Sequence, residues 1–129
     1  MKSNNIHSIF NNHFTDFLDD IQSVFPDDVD IAKAKNTVAT MRKANPKLLI
    51  KFWRVYVAEP YSNQIEQNNI DFFITKDYSQ DLSQNDNSKN IMSIIDRLRQ
   101  PVKSMSIENQ TKTMKYIQNL SKLSMGYNE

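Results

Sequence analysis

Residues 45–60, NPKLLIKFWRVYVAEP, constrain the fold more than any other part of this chain. Asn45 is a good helix N-cap, because its side-chain oxygen can accept from an unpaired amide of the first turn. Pro46 then falls at the first helical position, where its missing N–H is no loss. Pro60 stops the helix, and its ring is expected to push Glu59 out of the helical region. At about 100° per residue, Leu48, Leu49, Ile50, Phe52, Trp53, Val55, Tyr56 and Val57 cover most of the circumference. Only Lys47, Lys51 and Arg54 share the remaining strip. A helix apolar almost all round must be covered on several sides. The sequence therefore predicts a buried helix over about 46–58, wrapped by others, with one cationic line to water.

The rest of the chain supplies the wrapping. Over 6–25, Phe10, Phe14, Phe17, Leu18, Ile21, Val24 and Phe25 fall on one helical face. Asn12, Thr15, Asp16, Asp19, Asp20 and Ser23 fall on the other, and Pro26 ends the helix. Asp27, Asp28 and Asp30 open a second helix, where carboxylates face the positive end of the helix dipole. DDVD lacks the alternating ligands, turn glycine and distal glutamate of a calcium loop, so it reads as capping. This helix reaches about Ala44, with Ile31, Ala34, Val38 and Met41 inward.

Tyr61 and Ile65 mark a short helix after Pro60. The cluster IDFFI at 70–74 is short enough for a strand or a helical turn. The helical turn is preferred, since no other segment offers a strand to pair with. Residues 79–90, SQDLSQNDNSKN, read as a mobile connector, with a binding loop as the alternative. Ile91, Ile94, Ile95, Leu98, Val102 and Met105 keep helical phase through Pro101. That predicts either a kinked helix over 88–105 or a break just before the proline. Ser106 caps a last helix ending near Ser124, with Gly126 as its stop. In it Met114, Ile117 and Leu120 face inward, and Lys112, Lys115 and Lys122 outward. The expected architecture is a single all-α domain over 1–129, a compact bundle of five or six helices. Residues 1–5 and 125–129 are expected to fray.

Composition narrows the chemistry. Cysteine is absent, so there is no disulfide, no thiolate metal site and no cysteine nucleophile. That fits an intracellular protein. Glycine occurs once, so no phosphate-cradling glycine loop is present and few tight hairpins are expected. No apolar run approaches the roughly 20 residues of a membrane span, and MKSNNIHSIF lacks the apolar core of a signal peptide. Neither membrane insertion nor secretion is expected. His7 and His13, the only histidines, lie six positions apart on a helix and point in different directions. They do not converge on a metal. The pairs Asp19/Asp20 and Asp27/Asp28 are adjacent in sequence and therefore splayed. No serine sits in a glycine-flanked nucleophile elbow. The expectation is a protein without catalytic residues, metal or cofactor.

Charge comes in blocks. Residues 1–30, 31–58, 59–86 and 87–129 carry net −5, +7, −5 and +4, within an overall +1. The second block contains no acid at all. In one reading, acidic and basic helices are neighbours and neutralise each other, each exposed pair contributing about 0–1 kcal/mol. In the other, Arg42, Lys43, Lys47, Lys51 and Arg54 form a face for an anion or an acidic partner. Phosphate-driven nucleic-acid binding belongs to that second reading. The near-neutral total weighs against it, since nucleic-acid-binding domains are usually net basic.

The phrases FTDFLDDIQSVFPDD, MRKANPKLLIKFW, PYSNQIEQNNIDFFITKDYSQDL and KYIQNLSKLS together resemble small, mostly uncharacterised α-helical proteins. Those proteins are encoded by large nucleocytoplasmic DNA viruses of protists. The resemblance covers about residues 10–125 and carries no catalytic motif that transfers to any position. It implies a virion or cytoplasmic virus-factory setting and no particular activity. The expected role is that of an interaction or structural protein acting through a helical surface, with a protein partner or self-association. The alternative is a nucleic-acid-associated factor using the five cations above.

Overall fold

The computed structural model describes residues 6–75 and 86–127. Among the described residues there are seven α-helices and no strand. They are α1 (Ile6–Val24), α2 (Val29–Ala44), α3 (Leu48–Trp53), α4 (Ser62–Glu66), α5 (Ile70–Thr75), α6 (Asp86–Lys103) and α7 (Ile107–Met125). A π-helical stretch, Arg54–Ala58, continues α3 without interruption. The expected all-α bundle is present. Its helix count exceeds the expected five or six because 60–75 forms two short helices, and IDFFI is helical.

The long helices begin where local chemistry says they should. Asp28 Oδ1 accepts from the amides of Asp30 at 2.8 Å and Ile31 at 3.1 Å, closing the first turn of α2. Ser106 Oγ accepts from Asn109 N–H at 3.2 Å at the start of α7. On α1, Phe10, Phe14, Phe17, Leu18 and Ile21 are buried as the 3.6-residue stripe requires. Val24, expected with them, is instead exposed, because the helix ends at that residue. Ile94, Leu98 and Val102 are buried on α6, which runs through Pro101 without breaking. Its start at Asp86 makes the last part of the expected connector helical, since 79–90 contain neither glycine nor proline to prevent it. Residues 79–85 of that connector, the expected frayed 1–5 and the side chain of Ile91 lie outside the described residues.

The central segment is an axle with a flaw in its winding. It packs against α1, α2, α6 and α7, and its π stretch against α4 and α7. Asn45 does cap the approach, its Oδ1 accepting from Lys47 N–H at 3.3 Å, but α-helix begins two residues later than Pro46 suggests, at Leu48. The Glu59 amide donates five residues back, to Arg54 O at 3.1 Å. Glu59 itself stays helical, with φ −75° and ψ −52°, against the expectation that Pro60 would expel it. A proline ring in a regular helix collides with the carbonyl four residues back. The widened turn ahead of Pro60 gives that carbonyl room, and the chain carries on to a Tyr61 N–H to Val57 O bond of 3.0 Å.

Candidate functional site

Trp53 sits at the centre of an aromatic cluster. Phe14 and Phe10 present edges to it, with ring centroids at 5.6 and 6.1 Å. Its indole N–H donates to Ser121 Oγ on α7 at 3.0 Å, so the buried ring leaves no donor unpaired. Asn11, also buried, ties α1 to the start of the axle by donating to the Pro46 carbonyl at 2.8 Å.

The five cations differ in their surroundings. Arg42 donates to Asn12 Oδ1 on α1. Arg54 pairs with Glu59 at 3.3 Å and donates to the Tyr127 carbonyl. Tyr127 is buried, and residues 128 and 129 of the expected frayed tail lie outside the described residues. Lys51 is half-buried, while Lys43 at the end of α2 and Lys47 in the turn after it are exposed. Arg42 and Lys43 also occupy the last turn of α2, where cations oppose the negative end of the helix dipole.

Internal neutralisation accounts for part of the block pattern. Lys35 meets Asp19 across the α1–α2 seam at 2.7 Å and donates to Gln22 Oε1. The Arg54–Glu59 pair joins the second and third blocks. The remaining asymmetry is spatial: cation-rich α2, α3 and α6 are mutual neighbours. Lys33, Lys43, Lys47, Arg97 and Lys103 are exposed on or beside them.

Val55 was expected inside and is 54% exposed. It follows Lys51 by four residues, the two being neighbours along the axle, and Lys47 lies just before the helix begins. Ile9, Val24, Val29, Ile107 and Met125 are also exposed, scattered over α1, α2 and α7, as is ordinary for a protein surface. Val55 differs in lying among cations.

On α1 and α7, Tyr116 donates to Asp20 Oδ2 at 2.6 Å and stacks on Phe17, with His13 4.9 Å away. Burial pushes the Tyr116 phenol up to about 12, helped by the hydrogen bond to Asp20 and by the negative charges of Asp20, Asp16 and Asp19.

A partly open apolar cavity of about 60 Å³ lies between the axle, α5 and α6. Trp53 and Val57 form one wall, Phe73 and Ile74 a second, Leu98 and Val102 a third. Besides Trp53, whose N–H is bonded to Ser121, the lining residues with polar side-chain atoms are Tyr61, Arg99 and Thr113, and the Thr113 hydroxyl donates to Asn109 O at 3.1 Å. At about 24 cal/mol per Å³ of void, the cavity forfeits on the order of 1.5 kcal/mol of stability. Periodicity gave no sign of it, because a void arises from how several helices meet.

No helix among the described residues is long and apolar enough to cross a membrane. No protein-family model, no curated protein and no solved structure matches the chain.

Proposed function

We propose that the protein is a non-enzymatic interaction or structural protein, and that it engages a protein partner through the strip Lys47–Lys51–Val55 together with Lys43. One observation carries this reading: an exposed valine follows half-buried Lys51 by four residues on the axle, with exposed Lys47 just before the same helix. A strip that mixes cations with an apolar side chain suits a protein segment bearing acidic and aliphatic residues. A phosphate backbone would use the cations and waste the valine. Both guanidinium groups of the second charge block already donate internally, which leaves fewer of the forked donors that best read phosphate and bases. A virion or virus-factory setting is part of the proposal, supported by the sequence resemblance alone.

Phosphate binding is the second reading, favoured by the adjacency of α2, α3 and α6 and their exposed cations. Pull-down from native cells, with and without nuclease, separates the two. The first reading predicts a partner that survives nuclease and is lost from both Val55→Ser and Lys43→Glu/Lys47→Glu proteins. Recovery only with intact nucleic acid, steeply salt-dependent and indifferent to Val55→Ser, would replace it with the second.

A further inference from the structure

The outer face of α1 and α7 carries opposite charges side by side. The two helices run antiparallel, since Tyr116 stacks on Phe17 while Gly126 lies beside the Ile6 side chain. In that register Asp16 is level with Lys115, and Ile9 with Leu123. Ile9, Asp16, Lys122 and Leu123 line one open groove between the helices. Lys115 precedes Lys122 by seven residues, close to two full turns, so it stands on the same line of α7. Asp16, Lys115 and Lys122 are exposed, and among the described residues no ion pair engages any of them. Ile9, ordinary when taken alone, is 53% exposed beside half-buried Leu123 in this groove.

Such a face is complementary to itself. A twofold axis parallel to the helix pair lays α1 of one copy over α7 of the other without shifting either along its length. Asp16 of each copy then meets Lys115 of the other, so both pairs form together, and each Ile9 comes over a Leu123. A twofold axis across the helices would set acid against acid, so the charge pattern selects one geometry. Each helix has 19 residues and is about 28 Å long, so a face about 20 Å wide buries on the order of 1,100 Å² in total, at the lower edge of stable interfaces. That area, with exposed charges, suits a weak and salt-sensitive dimer. We propose that the protein forms a twofold homodimer through the outer face of α1 and α7, held by reciprocal Asp16–Lys115 pairs and by Ile9 against Leu123. This face is separate from the Lys47–Lys51–Val55 strip, so neither proposal depends on the other.

Sedimentation equilibrium of the full chain from about 10 μM to about 1 mM, at low salt and at about 0.5 M salt, tests the proposal. The mass is expected to rise with concentration from one chain toward two, and salt to weaken association up to about tenfold. Asp16→Lys and Lys115→Glu each set like charges against one another in both pairs, and each alone is expected to stay monomeric. An equal mixture of the two variants restores opposite charges in both pairs and is expected to associate again as a mixed dimer. A pair made within one chain would not respond to mixing. Ile9→Ser is expected to weaken association about tenfold, since apolar contact is lost from both copies. All three positions are exposed, and circular dichroism confirms that the variants fold. A monomer throughout the low-salt series would overturn the proposal. So would a dimer indifferent to both charge reversals, or two reversed variants that fail to associate when mixed.

Discussion

The axle meets two differently made halves of the core. Toward α1, α2 and α7, Phe10, Leu18, Ile21, Ile31 and Leu120 are at most 1% exposed, as Ile50 is on the axle itself. Toward α5 and α6, Phe73, Ile74, Leu98 and Val102 keep 5–9% exposure and border the cavity. At α5 the difference follows from helix length, while α6, with 18 residues, is nearly as long as α1 and α7. α1 and α7 each run for 19 residues and lay a continuous apolar stripe along the axle. α5 has six residues, under two turns, and cannot present a full stripe. Packing is closest where α1 and α7 run along the axle, and the void opens where short α5 meets it.

Trp53 touches both halves, so Trp53→Ala should have the largest effect, a loss of about 3–5 kcal/mol in denaturant unfolding. Pairing Phe10→Ala with Phe73→Ala separates the halves. The first should cost about 3–5 kcal/mol and the second no more than about 3, because a half-open site collapses more easily around the gap. Equal losses would break the comparison. Adding one methylene sharpens it further. Val38→Ile, on the tight α2, should destabilise by about 1 kcal/mol or more through overpacking. Val102→Ile, on the cavity wall, should be neutral or stabilise by up to about 1 kcal/mol in the same assay.

The smallest effect concerns the α1–α7 seam at high pH. The Tyr116 phenol is raised from 10.0 to about 12 in the folded chain, so folding favours its neutral form. Its contribution is complete below pH 10 and is lost as pH rises toward 12. Melting temperature measured across that window should fall more steeply for the unaltered protein than for Tyr116→Phe.

What the sequence made legible was local. The α1 stripe, the Asp28 and Ser106 caps and the helical state of IDFFI all depend on neighbours within a few residues. The burial of Trp53 was equally legible, since an all-round apolar helix has nowhere else to go. What escaped was long-range. Arg54 looked like part of a binding strip because its acceptor, the Tyr127 carbonyl, lies 73 positions away. Arg42 is held by Asn12 across 30 positions. The outward turn of Val55 follows from the 100° rule itself, which sets it beside Lys51 four residues earlier; counting apolar residues around the wheel hid that. Gly126 stops α7 as expected, with φ −83° and so without left-handed backbone. Its lack of a side chain matters for another reason: a Cβ there would meet Ile6 Cδ1 at 3.2 Å. Left-handed backbone falls instead on Asn68, at φ 56° between α4 and α5, whose side-chain oxygen accepts from Gln118.

Acrylamide quenching of Trp53 fluorescence tests the buried axle most directly. A blue-shifted emission with little quenching is the predicted result, since the ring is 4% exposed and its N–H is bonded to Ser121. Emission at the wavelength of free tryptophan, quenched as readily as in the unfolded chain, would contradict it.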